Sequence, residues 1–176
     1  MNIKKVEQQT IDVISQWQSD LNNFSMEQLL QKPAENSWSI GQVYIHLWMA
    51  AKGFFFKNIQ RIATNDEKVK NGGSKTFSGY AVYIFGTMPS IKIEMPTSVS
   101  VQPNQPESKE QLIARMEEVK TMVHQAAAIL PSLNSNAKVK HPFLGYLSAA
   151  EWFRLCIMHF NHHIQQKQRI KNHFGF

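Results

Sequence analysis

Apolar residues recur at helical spacing in four long stretches of the chain, with no repeat of 20–50 residues among them. The first runs from Ile3 to about Asn23, with Val6, Ile11, Ile14, Trp17, Leu21 and Phe24 three to five residues apart. A shorter turn, "SMEQLLQKP", follows; Ser25 can cap it and Pro33 stops it. The second stretch opens after "NSWS", with Ser37 or Ser39 as its cap, and carries Ile40, Val43, Leu47, Ala50, Ala51, Phe54, Phe55, Ile59 and Ile62. So dense a pattern predicts a helix covered on at least two sides. The third opens at "PESKEQ", where Ser108 and Gln111 have capping-box spacing, and runs through Leu112, Met116, Val119, Val123 and Leu130 until Pro131. The fourth opens at "LSAAEW", where Ser148 and Glu151 repeat that spacing, and continues to about His173.

Two segments break the helical pattern. Residues 65–107 contain Gly72-Gly73, Pro89, Pro96, Pro103, Pro106 and the apolar run "GYAVYIFG". A connection of that length usually carries function or structure of its own. A short helix is expected near Gly79–Phe85, then an extended, proline-punctuated crossover. The segment "NSNAKVKHPFLGYLS" reads as a shorter irregular link. The pattern therefore predicts an all-α fold, a four-helix bundle with a long crossover between helices two and three.

Composition narrows this further. The chain has 176 residues, 43% of them hydrophobic and 18% charged, which fits one folded domain over residues 1–176. The net charge is +6, with pI near 9.5. The cations are dispersed and "KQRIK" is the only cluster, so nucleic acid is not an expected partner. Cys156 stands alone, excluding an intrachain disulfide and a cysteine-rich zinc site and pointing to a reducing compartment. The N-terminus lacks an apolar signal region, and no stretch nears eighteen uninterrupted apolar residues. A cytoplasmic protein without membrane partners is the expectation.

The candidate chemistry lies in histidines. His159 and His163 are four apart on the last helix, hence on one face. With His159 as zero, Trp152 and Ile170 fall at about +20°, Leu155 at about −40° and Gln166 at about −20°. The pair thus sits in the stripe that faces the core, whereas His162 falls on the flank at about −60°. Two inward imidazoles are costly unless their nitrogens have partners. A shared transition metal satisfies both, and so do hydrogen bonds to neighbours or water; the spacing leaves both open. His46, inside the second helix with small Ala50 and Gly53 a turn away, is the best third ligand. Three neutral imidazoles would leave an open coordination position, as in catalytic zinc sites. His124 is at the edge of an apolar face, while His141 and His173 are expected to face solvent. Cys156 shares the His159 face, either as a soft neighbour of the metal or as an inert buried thiol. The chain has no HExxH, no paired-carboxylate ExxH repeat, no GxSxG and no glycine-rich phosphate loop, and Glu151 reads as a cap.

"ENSWSIGQVYIHLWMA", followed about a hundred residues later by "HPFLGYLSAAEWFRLCIMHFNHHIQQKQRI", resembles the DinB-like superfamily. That superfamily includes YfiT-like metal-dependent hydrolases and bacterial low-molecular-weight thiol S-transferases. Trp38-Ser39 with His46-Leu47 supply its opening pattern, and His159, His163 and Gln166 supply its closing one. The resemblance spans about Glu35 to Lys171. It implies an antiparallel bundle with up-down-down-up connection and a divalent metal, zinc or nickel, held by His46, His159 and His163. It also implies a homodimer, and a thiol or water activated for attack on a small-molecule electrophile. A low-molecular-weight thiol is a possible cofactor. No residue matches a thiol pocket or a catalytic role, so the substrate stays open. The competing expectations are thiol S-transfer, metal-dependent hydrolysis, and a non-catalytic metal- or ligand-binding module in a stress response.

Overall fold

The computed structural model describes residues 1–88 and 102–176. Helix α1 spans Ile3–Asp20, capped by Asn2, and ends in a 3₁₀ turn, Leu21–Asn23. The short α2, Met26–Leu30, has a capping box between Ser25 and Gln28. The second long stretch is continuous from Ile40 to Thr64 but of three parts: α3 (Ile40–Ala50), a π-helical turn (Ala51–Phe55) and α4 (Phe56–Thr64). Its cap is Ser39. The short helix expected in the connection is present as α5, Phe77–Phe85. Helix α6 spans Lys109–Ile129, and α7 spans Ala149–Phe174 behind the Ser148–Glu151 capping box.

Helix directions follow from who meets whom. Helices α1 and α6 are antiparallel: Glu7 meets His124, Gln18 meets Lys120, and Lys109 reaches the Phe24 carbonyl. Helix α7 is antiparallel to α3–α4, since His46 meets His159 while Phe54 meets Trp152. It parallels α1, whose last turn places Trp17 and Asp20 against Lys167. Helix α6 parallels α3–α4: Trp48 bonds Glu118, and Phe56 and Gln60 line a groove with Met122. The order is up-down-down-up. The chain must travel back along the bundle between α4 and α6, and much of the extended crossover expected there lies outside the described residues.

Trp17, Tyr44, Trp152, Phe153 and Phe160 fill the centre of the bundle, all fully buried. The Tyr44 hydroxyl donates to the Trp17 carbonyl at 2.6 Å, and the two rings meet edge-on at 4.9 Å. Among the described residues, no helix is long and apolar enough to cross a membrane.

The all-α expectation is corrected in one place. The supposed irregular link forms two strands, β2 (Ala137–His141) and β3 (Gly145–Ser148), and β1 (Val69–Asn71) completes an antiparallel sheet of order β1-β2-β3. Val139 stands opposite both Val69 and Leu147. Ala137, Val139 and His141 are buried, whereas Lys138 and Lys140 lie on the outer face, the period-two alternation of a half-covered strand. Gly145 has φ +79°, and a Cβ there would lie 2.6 Å from the Ser74 carbonyl oxygen, so only glycine fits. The sheet packs on α4 and α7, at the end of the bundle where α7 begins.

Candidate metal centre

His46 sits in the middle of α3, whose start is fixed from several sides. Ser39 and Gln42 form a buried capping box. The Ser39 hydroxyl also donates to Gln105 Oε1 at 2.7 Å, and Gln42 Nε2 donates to the Pro103 carbonyl at 2.7 Å. Gly41 permits this approach: a Cβ there would lie 2.6 Å from Pro106 Cγ and 2.8 Å from the Leu29 carbonyl oxygen. The Trp38 ring lies 4.8 Å from the His46 ring.

The structure brings His46, His159 and His163 together. One ring nitrogen from each lies within 4.8 Å of the other two. His46 Nε2 and His159 Nε2 are 3.0 Å apart. Nitrogens bound tetrahedrally to one zinc ion, at about 2.05 Å each, lie roughly 3.3 Å from one another, so this spacing suits a shared ion. His163 Nδ1 donates to Gln166 Oε1 at 2.7 Å, which puts the ring proton on Nδ1 and leaves Nε2 with a lone pair. Gln166 thus sets the tautomer a ligand needs.

Burial keeps all three rings neutral. It is the main force pushing His46 down to about 4, with nearby His162 adding to it. Burial and His46 push His163 down to about 3, against the opposing pull of the Gln166 hydrogen bond. Burial, then His163, His46, His162 and His141, holds His159 well below the ordinary histidine range. A protonated imidazole cannot bind a metal, so suppressed protonation keeps these lone pairs available at neutral pH. No other described His, Cys, Asp or Glu joins the set.

The remaining candidates separate cleanly. His162 is half-buried beside the set and hydrogen-bonds the Met88 backbone. His124 is exposed and contacts Glu7 at 2.8 Å, and His173 packs on Phe174. Cys156 is fully buried, with burial pushing its thiol up, the inert alternative. Glu151 caps α7 as expected and also pairs with Lys75.

Two expectations are corrected. His141 does not face solvent: it is buried, and its Nδ1 accepts from the backbone N–H of Phe143 (3.1 Å) and Leu144 (3.2 Å). Its ring packs on Phe54 and Trp152. The cause is the hairpin, which places His141 on the covered face of β2; the alternation "AKVKH" was the signal that could have found it. The second correction concerns Gly53, expected to make room beside His46. It is exposed, because the π turn adds a residue to that turn of helix and rotates the positions after it. Phe55 comes round instead, its ring 5.2 Å from His159, and forms an apolar wall of the site.

The sequence model of the DinB superfamily matches residues 9–166. No curated protein matches the chain significantly. Among solved structures, YfiT from Bacillus subtilis is similar, with a TM-score of 0.62 at 15% identity over 99% of this chain and 88% of that one. It is described as "a probable metal-dependent hydrolase with an unusual four-helix bundle topology". At that identity the likeness speaks to the fold alone, a four-helix bundle. Since the family match spans nearly the whole bundle, both histidine-bearing helices included, the chain belongs to the DinB superfamily.

Proposed function

We propose that this protein is a metal-dependent enzyme acting on a small electrophilic substrate. His46, His159 and His163 would hold one divalent metal, zinc or nickel. The observation that carries this reading is three neutral imidazoles with converging nitrogens, one with its tautomer set by Gln166. When bound, such a metal lowers the pKa of a thiol or a water and so supplies a nucleophile at neutral pH. The chain itself contributes a preset geometry: Ser39 and Gln42 hold the start of α3, Gln166 orients His163, and Trp38 and Phe55 wall the rings. The apolar walls limit water around the reacting centre.

Transfer of a low-molecular-weight thiol is the preferred reaction, in keeping with the superfamily's S-transferases. Hydrolysis, in line with the description of YfiT as "a probable metal-dependent hydrolase", is the second reading, and a non-catalytic metal- or ligand-binding module the third. The test is elemental analysis of protein purified without a histidine tag, compared with His46→Ala, His159→Ala and His163→Ala. About one metal per chain is expected for the wild type and little for each variant; Gln166→Ala should weaken affinity roughly 10–100-fold. Unchanged stoichiometry in all three histidine variants would sink the metal reading. Monochlorobimane with a panel of bacterial thiols, run beside simple esters and amides, separates transfer from hydrolysis. Loaded protein that turns over neither supports the non-catalytic reading.

A further inference from the structure

Cations that are dispersed along the chain are gathered by the fold. A groove of about 490 Å³ opens between α4 and the sheet, lined by Arg61 of α4, Lys68 and Lys70 at β1, and Lys140 of β2. Among the described residues that line it, Glu67 is the one carboxylate beside them. Asp66 lies 3.9 Å from Arg61 and offsets part of its charge, so the balance stays positive. The ladder adds to the crowding, because it sets Lys70 directly opposite Lys138. Like charges facing each other across a sheet destabilise it, and a bound anion offsets that cost.

The surroundings select among anions. Arg61 Nη1 donates to Asn58 Oδ1 at 2.8 Å and its Nε faces Asp66, so neither edge of the guanidinium is an open fork. A planar carboxylate is matched best by such a fork, whereas lysines act as point charges on a phosphate. Asn58 is only 2% exposed, yet it lines the groove. With its oxygen held by Arg61, its amide has N–H donors to offer. Phe54 and Pro142 give the same groove an apolar wall, and Lys70 Nζ stands 5.4 Å from the centre of the Tyr146 ring. A concave space of this volume suits a small organic molecule better than a bare ion.

We propose that the groove between α4 and the sheet binds a small molecule carrying a phosphate group on an apolar body. Arg61, Lys68, Lys70 and Lys140 face the phosphate, and Phe54 and Pro142 face the body. The proposal is independent of the metal reading, and either can fail alone. Isothermal titration of the full chain with phenyl phosphate should give saturable binding, and benzoate should bind more weakly. Replacing two cations together, Lys68→Gln with Lys140→Gln, should weaken phenyl phosphate roughly tenfold with circular dichroism unchanged. Lys4→Gln, exposed on α1, should bind as the wild type does, and so should His159→Ala, which separates the groove from the histidine centre. Should the double variant misfold, an NMR titration of the wild type decides, its amide shifts clustering at residues 58–61, 68–70 and 140. No saturable binding at millimolar phenyl phosphate overturns the proposal. So does an equal loss in Lys4→Gln or His159→Ala, or a cluster of shifts elsewhere. Benzoate bound as tightly as phenyl phosphate overturns it in favour of a carboxylate ligand. Duplex DNA bound more tightly than phenyl phosphate, and lost in the double variant, overturns it in favour of nucleic acid.

Discussion

His163 and His141 are fixed in opposite tautomers, and that difference separates a ligand from a brace. His163 gives its Nδ1 proton to Gln166, so Nε2 keeps a lone pair. His141 Nδ1 accepts two backbone N–H groups, so the proton must be on Nε2. Protonation would break the His141 arrangement, and burial pushes that ring down to about 4. The same holds for His46 and His163, at about 4 and about 3. In the unfolded chain these rings take up protons below about 6.5. The folded state is then the one with fewer protons, so its stability is full above that pH and falls as pH drops toward 4. At full slope each histidine contributes about 1.4 kcal/mol per pH unit. Urea unfolding of metal-free protein at pH 7, 6 and 5 should therefore show a steep loss. A midpoint independent of pH over that range would contradict the neutral, buried assignment.

At the scale of elements, the hairpin depends on a single backbone position. Gly145 combines positive φ with a close approach to Ser74, and Thr76 Oγ1 donates to the neighbouring Phe143 carbonyl at 2.6 Å. Gly145→Ala should cost at least about 2 kcal/mol, read as a lowered thermal midpoint, because both the backbone conformation and the packing oppose a Cβ. A midpoint within a degree of the wild type would show that the segment 73–76 simply moves aside. The sheet also shows where reading the sequence stops. The four bundle helices, α5 and the caps of α2, α6 and α7 were legible because spacing and capping are local, whereas the Asn2 cap of α1 was missed and the α3 cap was left between Ser37 and Ser39. Strand β1 is three residues long and exists through partners nearly seventy residues away. The β2 alternation was visible, yet it has only five residues and ends at a proline, so a link was the simpler reading.

For the molecule as a whole, the candidate centre joins the two antiparallel helices α3 and α7, far apart in the chain. His159 and His163 were legible because helical phase turns them inward, Gln166 because it shares that face, and His46 from its place inside the second helix and the superfamily's opening pattern. The wall formed by Phe55 was not legible. A metal bound only by the folded chain stabilises it by mass action, about 4 kcal/mol at a thousandfold excess over Kd. Chelation should then lower the melting temperature by roughly 10 °C in the wild type. His159→Ala should melt low and ignore the chelator. A wild type equally indifferent to it would mean that α3 and α7 are held by packing alone.

The π turn at Ala51–Phe55 has a consequence for alignment. A π turn is, in geometry, an insertion of one extra residue into an α-helix that continues regularly on both sides. Here His46 lies before the insertion and the buried Ile59 after it. A superfamily member whose second helix is regular throughout should align to this chain with a one-residue gap between those positions. In such a relative, whichever side chain walls the histidines belongs to a different register. Sequence identity near the centre would then understate how alike the two sites are.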